Sequence, residues 1–369
     1  MSRENMPRLE IGDRVAKVPI IQGGMSVGIS LAGLASAVAN EGGIGVIGAA
    51  GIGAAEPDIR TNYKNANKRA LSTEIRRARS LSDGLLGVNI MLALSDWDEM
   101  VLTSFDEGAD FVFIGSGLLL RPPPTLDLVE LNKQGTKIIP VISGAKGARV
   151  LFTYWAKNYD YVPEAIVIEG PKAGGHLGFR KEDLDKPENR LEEMIPQVVE
   201  LIKPFEERFD KRIPVIAAGG IFTGADIWEI MKLGASGVQM ATRFVGTHEC
   251  DASIKFKEAY LNSSKDDIMI IDSPVGMPGR AIRNQFLEDV SAGKKVPFLC
   301  PWKCLRTCDY RESPYCIAEA LLHAKEGKFE DGFAFAGENA YRVNEIVSVR
   351  ELMDTIADEY DRASKGLPV

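Results

Sequence analysis

The residue best suited to acid–base chemistry in this sequence is His176, which lies in the glycine-rich stretch 172–178. It follows the apolar run 165–168, which predicts a strand buried on both faces. Gly174 and Gly175 let a ligand approach the backbone closely just before the histidine. The chain has only three histidines, and a loop after a buried strand is a typical catalytic position in an α/β barrel. The alternative is a histidine that only satisfies a turn.

Two later apolar runs end in turns that are suited to a phosphate. Gly219 and Gly220 lie near the end of the run 213–221, and Ala241 and Thr242 lie in the run 237–244. Backbone N–H groups in such turns, together with the segment 222–224 and the N-terminus of the helix after it, are expected to point toward an anion. The alternative is that these glycines only make tight turns.

A third turn could contact a flat ring. Gly23, Gly24 and Met25 end an apolar run and offer backbone amides beside a soft apolar side chain. Asn89 lies late in the run 85–92, and its amide can both donate and accept hydrogen bonds, which suits the polar edge of a flavin pyrimidine. Considered alone, Asn89 is better explained as a strand-end residue that satisfies nearby backbone groups.

Four of the five cysteines are clustered, with the spacing C-x3-C-x3-C-x7-C. In a reducing compartment such a cluster favours a metal over disulfides, and four thiolates could hold a four-iron–four-sulfur cluster or a zinc ion. The spacing matches neither zinc ribbons nor the common ferredoxin run. One helix face that buries small apolar side chains is an equal alternative. The cysteines are Cys300, Cys304, Cys308 and Cys316.

These residues need elements that position them, and eight short apolar runs alternate with helical segments along the chain. This alternation predicts an α/β fold of the (β/α)8 TIM-barrel type. We predict that 1–262 form the barrel and that 263–369 form a mainly helical accessory segment with the cysteines, packed on the barrel. The runs are 18–25, 43–50, 85–92, 111–117, 137–143, 165–178, 213–221 and 237–244.

Composition narrows the class of protein. The chain has 369 residues, 45% hydrophobic and 26% charged, which is typical of a globular protein. The net charge of -8 argues against a nucleic-acid partner. The uncharged run 18–40 contains Pro19 and several glycines, and we interpret it as buried core, not a membrane span. We expect a cytoplasmic protein with a small-molecule substrate and no membrane partner; a homodimer is compatible with the sequence.

Six motifs, found in this order along the chain, resemble the nitronate monooxygenase (2-nitropropane dioxygenase-like) family, which includes flavin-dependent enoyl-acyl-carrier-protein reductases. They are 19–25, 87–90, 172–178, 217–221, 237–244 and 275–280. The resemblance covers about 15–285 and implies a TIM barrel that holds non-covalent FMN, with His176 facing the flavin and the substrate. The cofactor-binding residues that we predict are Gly23, Gly24, Met25, Asn89, Gly174, Gly175, Ala218, Gly219, Gly220, Met240, Ala241 and Thr242.

The resemblance implies two activities. We place oxidation of alkyl nitronates with oxygen first, and NAD(P)H-dependent reduction of an enoyl thioester or quinone second. A non-catalytic nucleotide- or phosphate-binding barrel is an alternative of another class, against which His176 argues. Family members often have Glu at the position of Lys172, so the polarity of the substrate is open.

Overall fold

The computed structural model describes residues 2–300 and 302–369. Eight parallel strands in this part of the chain form a closed barrel, in which β3 to β8 follow chain order and β10 and β11 close the ring onto β3. The strands are β1 (Leu9–Ile11), β2 (Arg14–Ala16), β3 (Ile20–Gln22), β4 (Ile44–Gly48), β5 (Leu85–Met91), β6 (Phe111–Gly115), β7 (Lys137–Ile142), β8 (Ile166–Glu169), β9 (Gly175–His176), β10 (Val215–Ala218), β11 (Gly237–Met240), β12 (Ile268–Asp272) and β13 (Pro278–Ile282). The predicted TIM barrel is confirmed, and each predicted apolar run contains one barrel strand.

Helices surround the barrel, and those that connect consecutive barrel strands bury the outer faces of these strands. They are α1 (Ala32–Asn40), α2 (Tyr63–Leu81), α3 (Trp97–Asp106), α4 (Leu128–Lys133), α5 (Ala145–Asn158), α6 (Leu191–Phe209), α7 (Gly224–Lys232), α8 (Thr242–Val245), α9 (Ile254–Leu261), α10 (Gln285–Ser291), α11 (Ile317–Lys325) and α12 (Val349–Ser364). The contact between α1 and β4 is close enough to require a glycine, because a Cβ on Gly45 would lie 1.8 Å from the carbonyl oxygen of Ala35.

Alternating residues of the strands fill the barrel interior, as the period of two requires. Phe111, Phe113 and Val167 are fully buried there. Gly87 makes room for the ring of Phe113, since a Cβ would lie 2.6 Å from it. The hairpin of β1 and β2, which the sequence did not predict, contributes Leu9 and other apolar side chains to the same cluster.

The C-terminal helix α12 belongs to the helical layer around the barrel. It packs against α7 and also contacts α1. Gly224, the first residue of α7, could carry no side chain here because a Cβ would lie 2.0 Å from the carbonyl oxygen of Ile356. The rings of Trp228 and Tyr360 pack edge to face across the same interface. The division of the chain at 262 stays a prediction, with α12 lying on the barrel's outer surface.

The region after the barrel contains a sheet as well as helices. The apolar piece 268–271 and the glycine turn after it form the antiparallel hairpin of β12 and β13, in which Gly276 has a φ of +79°. The short strand β9 adds to the edge of this hairpin through the pairs Gly279–His176 and Arg280–Gly175. The hairpin therefore fixes the backbone of the loop that carries His176.

Within the described residues, no helix has both the length and the apolar character that crossing a bilayer requires. The uncharged run 18–40 forms β3, a turn and α1.

Candidate active site

A cavity of about 730 Å³ lies at the carboxyl ends of the barrel strands. Parallel strands of this fold place their loops at that end, which is where its chemistry resides. The structure brings His176 and all of the predicted cofactor-binding residues to the wall of this one cavity. Of the four clustered cysteines, Cys304 also lines it.

His176 is held on two sides. Its Nε2 lies 2.7 Å from the hydroxyl oxygen of Ser273. Its ring packs edge to face on Phe335, with the ring centroids 4.9 Å apart. Burial lowers the pKa of His176 to about 4, because a charged imidazole loses its hydration there. The side chain is therefore a neutral imidazole at physiological pH, able to donate or accept one hydrogen bond at each nitrogen.

The loop before His176 is fixed by the buried guanidinium of Arg280, which is 8% exposed. Its Nη1 donates to the carbonyl oxygens of Pro171 and Ala173, both at 2.6 Å. Burial lowers the pKa of Arg280, although the group remains charged. Arg280 thus positions the loop through hydrogen bonds to two of its backbone carbonyl oxygens.

In the two turns that were predicted to bind an anion, the backbone amides have no acceptor among the described residues. The backbone amides of Gly219, Gly220, Ala241 and Thr242 donate to no acceptor among residues 2–300 and 302–369. Gly219 and Gly220 have φ values of +93° and +85°, which favour glycine. The side-chain amide of Asn339 donates to the carbonyl oxygen of Gly220 at 2.7 Å. Four open amides at adjacent strand ends suit a phosphate.

The predicted contribution of 222–224 and the helix after them to this anion site is wrong. The amides of Phe222 and Thr223 donate to the carboxylate of Asp226, at 2.9 and 2.8 Å. The amide of Gly224 donates to Oε2 of Glu359 on α12 at 2.7 Å. Protein carboxylates therefore occupy the N-terminus of α7. The pattern Thr223-x-x-Asp226 is a capping box and was a usable signal in the sequence.

The turn after β3 is only partly available to a ligand. The amide of Gly23 donates to the carbonyl oxygen of Met240 at 2.8 Å, and that of Met25 donates to the hydroxyl of Ser30 at 2.7 Å. The predicted offer of backbone amides to a ring is therefore wrong for the amides of Gly23 and Met25. Gly24 lies against Asn89, where a Cβ would be 2.4 Å from the Asn89 Cβ.

Two further polar side chains of the same cavity were not predicted from the sequence. Glu169 ends β8 and Gln239 lies in β11, and both line the cavity. The side chains of Asn89, Glu169 and Gln239 have no hydrogen-bond partner within the described part of the chain. Burial of its carboxyl raises the pKa of Glu169 to about 7. The alternation of side chains along β8 could have identified Glu169, because it lies two residues after the inward-facing Val167.

The segment 335–339 forms another part of the wall, and it comes from outside the barrel strands. The hydroxyl of Tyr260 donates to the carbonyl oxygen of Phe335 at 2.6 Å. The amide of Glu338 donates to the carbonyl oxygen of Lys172 at 3.1 Å. Lys172 itself extends along the exposed rim, where its Nζ lies 3.8 Å from the Glu338 carboxylate. Lys172 therefore pairs with an acidic residue at the rim.

The cysteines do not form a ready metal site. All are free thiols, and among the described residues no group of three or more His, Cys, Asp and Glu side chains is arranged to hold a metal ion. Burial raises the pKa of Cys304 to about 12 and that of Cys316 to about 11. The predicted iron–sulfur or zinc site at Cys300, Cys304, Cys308 and Cys316 thus lacks structural support. The helix-face alternative is also wrong, since this segment is irregular and only Cys316 borders a helix, α11.

Comparison with known proteins identifies the family. The nitronate monooxygenase family matches residues 11–359, and the chain belongs to this family. Its members among the similar proteins are oxidoreductases, so the chain is an enzyme rather than a non-catalytic binding barrel.

Several relatives are similar over most of the chain. The probable nitronate monooxygenase of Staphylococcus aureus strain Newman is 29% identical, covering 74% of this chain and 77% of the relative. A (3aS,4S,5R,7aS)-5-hydroxy-7a-methyl-1-oxo-octahydro-1H-indene-4-carboxyl-CoA dehydrogenase of Mycobacterium tuberculosis is 28% identical, covering 75% of this chain and 66% of that enzyme. The structure of FabK from Thermotoga maritima is 28% identical with a TM-score of 0.71, covering 94% of each chain. The nitroalkane oxidase of Streptomyces ansochromogenes, 22% identical with a TM-score of 0.72, shares the fold and covers 96% of this chain and 98% of its own.

Proposed function

We propose that this enzyme uses FMN to reduce an uncharged, conjugated acyl compound, with an enoyl thioester as the substrate class. The observation that carries the proposal is the charge of the cavity wall. Lys172 is the only lysine or arginine among the described lining residues, and it pairs with Glu338 at the rim. His176 is neutral, and Glu169 adds an acidic group. An anionic nitronate would find no cation in the interior to offset its desolvation.

The cavity fits FMN on its own features. The open amides of Gly219, Gly220, Ala241 and Thr242 suit the phosphate. Asn89 and Gln239 offer unpartnered amides to the polar edge of a ring, and the bare backbone of Gly175 has open space where a Cβ would be. Bound FMN would supply the hydride chemistry, with NAD(P)H as the proposed electron source.

The residues of the chain would orient the acyl group. When the hydroxyl of Ser273 donates to Nε2 of His176, the ring proton lies on Nδ1, which has no partner among the described residues. That N–H is then free to donate to the thioester carbonyl oxygen and to stabilise the charge that develops there. Because the imidazole is neutral, we assign it hydrogen-bond donation rather than release of a proton.

An apolar part of the cavity wall suits the acyl chain. It comes largely from the accessory segment and includes Leu305, Ile317, Leu321 and Leu322. Trp302 stacks on Tyr63 at the same wall, with ring centroids 6.5 Å apart. The dehydrogenase relative acts on a carboxyl-CoA compound, which is a thioester, and this supports the same substrate class.

Nitronate oxidation is the second candidate, and its support is the similarity to the Staphylococcus aureus relatives. One experiment distinguishes the two activities. The purified protein is loaded with FMN, confirmed by its visible spectrum, and assayed with NADH or NADPH plus crotonyl thioester, and in parallel with propyl-2-nitronate plus oxygen. We expect NAD(P)H-dependent loss of the crotonyl double bond. Turnover of the nitronate alone would overturn the proposal, and so would a protein that cannot be reconstituted with FMN.

A further inference from the structure

Glu169 occupies an unusual place for a carboxyl group. It is the last residue of β8 and follows Val167, a fully buried residue of the barrel interior, by two positions. Its side chain therefore projects from the same face of the strand, at the open end of the barrel. Its backbone pairs with Ala218 on β10, one residue before Gly219 of the anion cradle. Its carboxylate has no ion-pair or hydrogen-bond partner among residues 2–300 and 302–369.

The surroundings of Glu169 offer no compensating charge. His176 is neutral, and Lys172 pairs with Glu338 at the rim, so this pair adds no net charge. The remaining titratable groups on the same wall are uncharged at neutral pH, because burial raises the pKa of each: Tyr63, Tyr260 and Cys304. On the neighbouring strands, Ala218 pairs with Glu169, and Val141 pairs with Val167 on the same face; neither residue titrates. A proton is thus the natural partner of this carboxylate.

We propose that Glu169 accepts a proton from solvent when the bound flavin is reduced, so that the cavity takes up the electron pair with little change in net charge. The inference depends on the FMN binding in the proposed function, but not on the enoyl thioester. A hydride donor, such as a dihydronicotinamide, transfers one hydrogen and two electrons to the flavin and leaves oxidised. The flavin gains a negative charge, and Glu169 goes from carboxylate to carboxylic acid with one proton from water.

The sign of the pH dependence follows from electrostatic coupling. Without the added charge, the pKa of Glu169 is about 7. A negative flavin in the same low-dielectric cavity raises this pKa further, since like charges disfavour each other. Below pH 7 the carboxyl is protonated in both redox states and adds nothing to the pH dependence. Above pH 7, up to the new pKa, reduction binds one additional proton, so the midpoint potential falls more steeply as pH rises.

The test is a reductive titration of the FMN-loaded protein from pH 6 to 9, which requires no substrate. We expect the potential above pH 7 to fall with the slope of two protons per two electrons in the native protein. In Glu169→Gln the slope should be half as steep, corresponding to one proton. Glu359→Gln is the matched control, because it removes a carboxylate on α12 that does not line the cavity and should keep the native slope. Equal slopes in the native protein and Glu169→Gln would overturn the proposal.

If the Glu169→Gln variant does not fold or does not bind FMN, a second measurement on the native protein tests the proposal. The infrared difference spectrum of the native protein at pH 8, reduced minus oxidised, should gain the carbonyl band of a protonated carboxylic acid. Glu169→Asp should retain this band at a shifted position. A native spectrum without the band would overturn the proposal. A protein that shows the band and the slope but reduces no enoyl thioester would refute only the proposed substrate, so the two failures are distinguishable.

Discussion

The hydroxyl of Ser273 lies 2.7 Å from Nε2 of His176, although 97 positions separate the two residues. Ser273 follows β12 directly, and His176 is in β9, so the three-stranded sheet brings them together. When the Ser273 hydroxyl donates in this bond, the imidazole proton lies on Nδ1, which can then donate to a ligand.

We expect Ser273→Ala to lower kcat/KM about five- to tenfold, since a net hydrogen bond contributes about 1 kcal/mol and 1.36 kcal/mol is a factor of ten in rate. The FMN affinity should not change, because Ser273 does not line the cavity. Ser273→Thr keeps the hydroxyl and should keep most of the activity. Steady-state kinetics with an FMN titration check this. A loss of FMN in Ser273→Ala with an unchanged rate per bound flavin would contradict it.

His176→Gln should bind FMN normally and lose about 10²- to 10⁴-fold in kcat/KM, the usual range for a positioned polar catalytic group. Because the pKa of His176 is about 4, its neutral form persists above that value, and the histidine contributes no inflection between pH 5 and 8. An inflection near pH 7 should therefore persist in His176→Gln and vanish in Glu169→Gln. The pH dependence of kcat/KM in both variants is the measurement, and disappearance of the inflection in His176→Gln would refute a neutral histidine.

Arg280→Met should lower the free energy of unfolding by about 2–4 kcal/mol, because it leaves the buried carbonyls of Pro171 and Ala173 without donors. Arg283→Met is the matched control. This nearby arginine is exposed, so its replacement should stay within about 0.5 kcal/mol of the native protein. Urea unfolding of the two variants measures the difference. Equal stabilities would show that Arg280 does not hold the loop.

Gly24→Ala should weaken FMN binding more than about tenfold, because its Cβ would lie 2.4 Å from the Asn89 Cβ and must displace this side chain. Gly115→Ala, on the same cavity, places its Cβ 3.5 Å from Val141, an ordinary contact, and should be tolerated by the fold. Quenching of FMN fluorescence gives both affinities. Similar affinities in the two variants would mean that the contact between Gly24 and Asn89 has no role in the cofactor site.

Glu359→Gln tests the assignment of the N-terminus of α7. It weakens a charge-assisted bond to the amide of Gly224, so the free energy of unfolding should fall by about 0.5–1 kcal/mol. The FMN affinity should stay within about twofold, because protein carboxylates already accept from the amides of this helix end. An increase in FMN affinity in Glu359→Gln would indicate that the glutamate competes with the phosphate for the helix N-terminus.

The barrel could be predicted from the sequence because each of its strands is buried on both faces and reads as an apolar run bounded by turns. The glycines at 23–24, 174–175 and 219–220 were recognisable for the same local reason. Ser273, Arg280 and Phe335 could not be assigned in this way, because their roles arise from pairing between β9, β12 and β13 and the loops around them. Only one of the two carboxylates that accept from the N-terminal amides of α7 could be predicted from the sequence. Asp226 is local, whereas Glu359 arrives from α12.

The wall at 335–339 has a consequence for how such enzymes diverge. The barrel strands supply the open amides and the histidine loop, whereas residues after the barrel supply Phe335 and the apolar side chains of α11. Substitutions in the latter can reshape one side of the cavity while strand packing stays intact. Enzymes with this architecture can therefore change their substrate through substitutions in the C-terminal part, with little effect on the folding of the barrel.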